Sequence, residues 1–378
     1  MSDPPRSVHV VSNPGSRHAA ARREWTQSSP ARHNQATRAG DQVSDELSVL
    51  EICAGGGGQA FGLEQAGFGH ELAVEIEPEA SETLRLNRPS WRVFEGDVRA
   101  VNGRDYKGID LLAGGVPCPP FSMAGKQLGA DDERDLFPEA LRLVKEAKPT
   151  AVMLENVKGL ASERFKPYRT SILDELDALG YDADWKLLHA ASYGVPQLRP
   201  RFILVAMKRR WFRRFDWNVP FTPAPTVGSV LYPMMAANGW AGAEAWAARA
   251  NAIGPTVVGG SRKHGGPDLG PTRARAAWAQ LGVDGRSIAN EAPGEDTPVD
   301  HMPKLTLEMV AAVQGFDRGW KFAGRKTAAY RQIGNAFPPP VAAGVGSQIR
   351  LALEGKAAAA RSSVNVVQLP LPLLAAVH

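Results

Sequence analysis

The sequence predicts an α/β protein, a mostly parallel, Rossmann-like sheet followed by a smaller and irregular domain. Three observations carry this. Over 47–207, short apolar runs alternate with helical patterns, which is the signature of a parallel sheet with helices on both faces. The glycine-rich turn "AGGGG" at 54–58 joins the first apolar run to the first helical one. After Met207 the alternation stops, and 208–303 turns rich in Gly, Pro, Trp and Ala.

The elements follow in order. The strand-like runs are "LSVLEI", "ELAVEI", "WRVF", "IDLLAG", "AVMLEN", "WKLLHA" and "RFILVAM", and helical stretches between them include 59–66, 79–86, 136–147 and 170–179. The segment 208–303 is too long for a connecting loop and contains the loop-like stretch "VVGGSRKHGGPDLGPTRAR". It is therefore expected to be a second domain. A helical pattern resumes in "LTLEMVAAVQGF", and "PPPVAAGVGSQIRLALEGK" starts a helix just after prolines, where helices tend to begin. The expected organisation is a tail over 1–46, a main domain over 47–207, a second domain over 208–303, a return to the main domain over 304–356, and a tail over 357–378.

Composition narrows the function. The chain has 378 residues and is 43% hydrophobic, ordinary for a soluble globular protein. No apolar run approaches the roughly 18 residues of a membrane span, and the N-terminus lacks the apolar core of a secretory signal. A cytoplasmic protein without membrane contact is expected. Two cysteines make neither a disulfide scaffold nor, alone, a zinc site, so no metal is expected. The net charge is +4, and 1–44 alone carries six Arg against three acidic residues in a stretch that reads as a disordered basic tail. In 208–303, eleven Lys or Arg face eight acidic residues.

"LEICAGGGGQAFGLEQAGF" is a strand, a glycine turn and a helix. The glycines permit a tight turn and let a ligand approach the helix N-terminus. Glu75 ends the second strand, about where a carboxylate meets ribose hydroxyls. Asp97 follows the third strand in "EGDV" and can accept from an adenine amino group. An adenosine cofactor is expected. NAD and S-adenosylmethionine both stay open on these residues, since Gly55, Gly57 and Ala60 also fit a loose dinucleotide pattern.

Cys118, in "GGVPCPPFSMAGKQ", directly follows the run "IDLLAGGV". It stands on a stiff loop at the carboxyl end of a strand, where ligands of open α/β sheets collect. Nucleophile, metal ligand and filler are all open for it at this point. "MLENV" puts Glu155 and Asn156 at the end of the next strand. A buried carboxyl beside a cleft can stay protonated and donate to a ring nitrogen. "QLRPRFILVA" places Gln197, Arg199 and Arg201 on the same rim, and alternate residues of an extended segment point the same way.

Together these blocks resemble the DNA (cytosine-5)-methyltransferases, in the family's order, from 47 to about 353. "AGGGG" is similar to its S-adenosylmethionine loop, "GGVPCPPFS" to its nucleophile loop, "ENV" to its glutamate motif, "QLRPR" to its Gln-x-Arg-x-Arg motif, and "YRQIGNAFPPPVA" to its Gln-x-Gly-Asn block. The resemblance implies a Rossmann-like S-adenosylmethionine-dependent methyltransferase sheet with a target-recognition domain at 208–303. It implies that Cys118 adds as a thiolate to C6 of a cytosine flipped out of double-stranded DNA. Glu155 would hold N3, Arg201 O2, and Arg199 a nearby phosphate or the loop. Cofactor contacts would come from Cys53, Ala54, Gly55, Gly57 and Gly58 in the turn, and from Glu75, Ile76, Asp97 and Val98 after the next two strands. Gly115, Pro117 and Asn335 would complete them. Ser122, Lys126 and Gln127 would touch DNA from the nucleophile loop. Arg262, Lys263, Arg273 and Arg275 are expected to do so from the recognition domain, through guanine or through phosphates. A monomer is expected, of the prokaryotic restriction–modification type, cytoplasmic and nucleoid-associated when bound to DNA, with a cognate endonuclease as a possible companion.

The chain departs from the pattern in places. It has "EICAG" where "DLFAG" is usual, so Cys53 replaces an aromatic that packs on the cofactor. Ile76 also stands where an aromatic is frequent, Ala124 where a serine often helps fill the gap left by the flipped base, and Lys304 where Arg is usual. Three rival functions meet these residues less well. A transfer-RNA methyltransferase of the same fold is opposed by the long recognition segment. A catalytically inactive DNA-binding homologue is opposed by the complete set of motif residues. An NAD-dependent oxidoreductase leaves the Cys–Glu–Arg rim without a purpose.

Overall fold

The computed structural model describes residues 46–117, 135–261 and 266–355. Cys118, Ser122, Ala124, Lys126, Gln127, Arg262 and Lys263 lie outside the described residues, as do both expected tails apart from Glu46.

All seven expected strands form. β1 (Leu47–Ile52), β2 (Phe68–Glu75), β3 (Val93–Glu95), β4 (Leu111–Gly114), β5 (Ala151–Val157), β6 (Tyr181–His189) and β7 (Pro200–Lys208) make one sheet in the order β3-β2-β1-β4-β5-β7-β6. β1 to β5 pair in parallel, and β7 lies antiparallel between β5 and β6. The central strands are apolar along their length because both faces of the sheet are covered.

The helices that follow are α1 (Gly58–Gln65), α2 (Pro78–Asn87), α3 (Phe137–Ala147), α4 (Lys166–Ala178), α5 (Arg209–Phe212), α6 (Val227–Met235), α7 (Ala243–Arg249) and α8 (Thr272–Gln280). Three more close the chain: α9 (Leu307–Val313), α10 (Lys326–Asn335) and α11 (Pro339–Glu354). Side chains alternate across each strand, so two cores form. Leu50, Ile52, Leu112 and Leu154 pack with Leu143 and Val144 of α3 and Leu176 of α4. Val49, Ala113, Met153 and Ile203 pack on the other face with Leu63 of α1 and Val345 and Ile349 of α11. Each such fully buried aliphatic side chain contributes about 1.5–3 kcal/mol.

The segment 209–303 is more helical than expected. Its helices, α5 to α8, are only four to nine residues long, too short to show a period, and Pro233 lies inside α6. The end of the loop-like stretch is one of them: Arg273 and Arg275 sit at the start of α8, not on a flexible loop. α10 has no counterpart among the expected elements either. Val227, Leu231, Trp246 and Trp278 share one hydrophobic cluster with Leu305, Val310, Tyr330 and Ile333, so the expected division at 303/304 crosses a common core. No helix among the described residues is long and apolar enough to cross a membrane.

Candidate active site

The chain leaves β1 towards β2 and β3 on one side and returns as β4 on the other. Such a reversal leaves a crevice outside the carboxyl ends of the strands. A cleft opens there. The turn from β1 to α1 lines it with Cys53, Ala54, Gly55, Gly56 and Gly58, the end of β2 with Glu75, and the start of α2 with Glu77, Glu79 and Ala80. Gly115 and Glu155 contribute from β4 and β5, and Arg331, Gln332, Asn335 and Phe337 from α10 and just beyond.

The glycine turn is braced from behind. Gly57 caps α1 with φ 85°, and a Cβ there would come within 2.5 Å of Trp320. Trp320 Nε1 donates to Gly56 O at 3.0 Å, its ring lies 4.9 Å from that of Phe61, and the Arg88 guanidinium covers it at 5.2 Å. A Cβ on Gly55 would meet nothing within 4 Å, so that residue faces open space. Glu75 spans the cleft wall, accepting from Gly55 N at 2.7 Å and Glu77 N at 2.8 Å. Burial outweighs those bonds and raises its carboxyl. Cys53 adopts φ 52°, and burial, then Glu75, pushes its thiol up to about 12. It stays protonated and acts as a small apolar group.

Of the other expected cofactor contacts, Asp97 caps a short turn. It accepts from Arg99 N at 2.9 Å and Arg99 Nη1 at 3.0 Å, and that backbone bond in particular lowers its carboxyl. Asp97, Val98 and Pro117 do not line the cleft; Val98 is buried in the sheet core. Ile76, between two lining glutamates, is 60% exposed and, like Gly57, is not part of the lining.

The catalytic rim separates into two sets. Glu155 is buried, with Arg201 Nε 2.5 Å from its Oε1, an ion-pair distance off the line of a hydrogen bond. Burial raises the Glu155 carboxyl despite the pull of Arg201 and Arg199. Arg199 is 1% exposed and donates to Val257 O at 2.6 Å and to Gly334 O and Ala336 O, each at 2.8 Å. Of its two expected roles, these contacts fit holding the loop. Gln197 works beside it, donating to Gln314 Oε1 at 2.8 Å and accepting from Val257 N at 2.9 Å. Asn156 Nδ2 donates to Val116 O at 2.7 Å, fixing the backbone two residues before Cys118.

The description "C-5 cytosine-specific DNA methylase" belongs to the family that matches this chain over residues 47–350. The chain belongs to that family. It is 57% identical over 327 residues to the type II methyltransferase M.NaeI of Lentzea aerocolonigenes, covering 84% of this chain and 79% of that one. It is 52% identical over 313 residues to the type II methyltransferase M.NgoMIV of Neisseria gonorrhoeae, covering 82% and 99%. In fold it is similar to a DNMT2 variant of Spodoptera frugiperda (TM-score 0.58, 19% identity, 81% of this chain and 100% of that one). The Dnmt2 methyltransferase of S. pombe gives 0.54 at 16% identity, over 82% and 99%.

As a C-5 cytosine methylase the chain is an enzyme of the DNA (cytosine-5)-methyltransferase class. Several of its cleft residues have no role in the sequence reading. Glu77, Glu79 and Gln59 lie within helix starts and look like ordinary surface or capping residues; Arg331 and Gln332 stand in the quoted "YRQIGN" block without an assigned task. Trp320 carries no local signal. The methylase's expected DNA contacts among the described residues, Arg273 and Arg275, do not line the cleft. Arg275 Nη2 donates to Thr272 Oγ1 at 3.3 Å, and Arg273 is exposed. Asn335 lines the cleft and donates to Gly260 O at 3.1 Å.

Proposed function

We propose that this methylase transfers a methyl group from S-adenosylmethionine to C5 of a cytosine turned out of double-stranded DNA. The observation that carries the reading is Glu155, a buried carboxyl raised by burial, which lines the same cleft as the glycine turn. The cleft suits the cofactor. Gly55 presents no side chain to it, and Glu75, Glu77 and Glu79 suit ribose hydroxyls and the positive sulfonium and ammonium groups. The same three carboxylates oppose a dinucleotide's pyrophosphate, which disfavours NAD. Ile76 offers an apolar surface for the adenine ring. Each Asp97 oxygen keeps a second acceptor position for the adenine amino group. When bound, this cofactor supplies an electrophilic methyl group.

Cytosine C5 is a poor nucleophile, and the chain's residues correct that. Cys118, identified by its motif and outside the described residues, adds as a thiolate to C6. Glu155, protonated, donates to N3 and stabilises the added ring, while Arg201 holds O2. C5 then has enamine character and takes the methyl; loss of the C5 proton expels the thiolate and restores the ring. The base must leave the stack for Sγ to reach C6. We assign recognition of flanking bases to 208–303, with Arg273 and Arg275 presented at the start of α8, Arg262 and Lys263 preceding them, and Ser122, Lys126 and Gln127 touching DNA from the nucleophile loop. The relatives' type II names support work beside an endonuclease that cuts the same site, and we assign the chain to the cytoplasm as a monomer.

Incubation with tritium-labelled S-adenosylmethionine and either duplex DNA or transfer RNA tests this. The expected result is label in duplex DNA recovered as 5-methyldeoxycytidine. Label confined to transfer RNA, or to an exocyclic nitrogen, would sink the assignment.

A further inference from the structure

Arg331 is the one Lys or Arg that lines the cleft among the described residues, against four glutamates. Its position is fixed by its neighbours. Tyr330 is fully buried. Gln332 donates through Nε2 to Ala323 O at 2.9 Å and accepts from Thr83 Oγ1 at 2.6 Å, tying α10 to α2. The Arg331 side chain itself is 21% exposed and makes no hydrogen bond among the described residues; its contact is Glu77 Oε2, 3.7 Å from Nη2 across the mouth of the cleft. That separation is too long for a hydrogen bond. Arg199 and Arg142, by contrast, spend several donors on nearby acceptors, Arg199 on three carbonyls through Nη1 and Nη2 and Arg142 on Glu139 and Glu146.

A guanidinium with idle donors, pointed into a cleft otherwise lined by carboxylates, is suited to one ligand group. It is a carboxylate, which Arg binds bidentately. The acidic lining would repel that group anywhere else in the cleft. We propose that Arg331 is the carboxylate-reading residue of this cleft, exchanging its loose pair with Glu77 for the α-carboxylate of a nucleoside-linked amino acid. This rests on the cofactor proposed above and adds how the enzyme tells an intact amino-acid moiety from a truncated one. Glu77 keeps its own anchor, since its backbone N–H donates to Glu75 Oε1, so the exchange leaves the cleft wall in place.

The test is calorimetric titration of the whole chain with S-adenosylhomocysteine and with its decarboxylated analogue, which differ only in the carboxylate. Wild type is expected to prefer S-adenosylhomocysteine by about 10- to 100-fold, the worth of a charge-assisted pair. Arg331→Ala is expected to bind the two alike, by losing affinity for the carboxylate-bearing ligand and keeping it for the other. Arg331→Lys, which keeps the charge without the fork, is expected to retain part of the preference. Equal weakening of both ligands by Arg331→Ala would make the residue a structural brace and overturn the proposal, as would a wild type without preference. A wild type that binds neither ligand would instead remove the cofactor assignment beneath it.

Discussion

Glu155 and Arg201 are two buried charges held against each other at the cleft, and the chemistry depends on which form the carboxyl takes. Burial raises Glu155 above its ordinary value of 4.5, so the neutral, donating form persists to higher pH than in a free glutamate. The stability contributed by this group is complete below the unfolded value and is lost as pH rises through the folded one. Glu155→Gln removes that titration. The variant should melt with less pH dependence than wild type above pH 4.5, and its turnover should fall about 10²- to 10⁴-fold, as for loss of an acid–base group, with S-adenosylhomocysteine affinity nearly unchanged. A fall in cofactor affinity equal to the fall in turnover would place Glu155 at the other end of the cleft. Glu75, Cys53 and Glu155 are legible in the sequence because each stands at or just past the end of a strand, a position the alternating pattern fixes. The partners of Asp97 are not, because Arg99, two residues on, takes its oxygens.

The β1–α1 turn shows how an element depends on distant chain. Its glycines announce a tight turn, but Trp320, which holds it, is 264 residues from Gly56, and no local spacing reports such a contact. Trp320→Ala removes the ring behind Gly57 and the bond to Gly56 O. It should cost about 3–5 kcal/mol, as large-to-small core changes do, and weaken S-adenosylhomocysteine binding, both measurable by denaturant unfolding and titration. Unchanged binding would mean the turn holds itself. The Gln-x-Arg-x-Arg motif is a second case. Its spacing suggests that both arginines face a ligand, yet only Arg201 meets Glu155. Gln197 and Arg199 clasp Val257, Gln314 and the end of α10, because three converging backbone carbonyls take the Nη donors of a buried guanidinium.

Across the whole molecule, the sheet is readable from its apolar runs while the packing of 209–303 is not. Short helices carry too few turns to show a period, and the segment's apolar residues find partners in α9 and α10, far along the chain. Trp278, fully buried in that shared cluster, gives a test: Trp278→Ala should destabilise by about 3–5 kcal/mol in one cooperative transition seen alike by tryptophan fluorescence and circular dichroism. Two separated transitions would show 209–303 folding on its own. The organisation of the fold matters because it brings the strand-end carboxyl of Glu155, the braced glycine turn and the loop that leads to Cys118 to one opening. Covalent methylation of cytosine C5 there is the central claim. Duplex DNA bearing 5-fluorocytosine tests it most directly, since fluorine cannot leave C5 as a proton does. Incubated with the protein and S-adenosylmethionine, it should yield a denaturant-stable adduct whose protein peptide carries the modification at Cys118. Methylation of ordinary DNA with no such adduct, or an adduct that persists in Cys118→Ser, would contradict it.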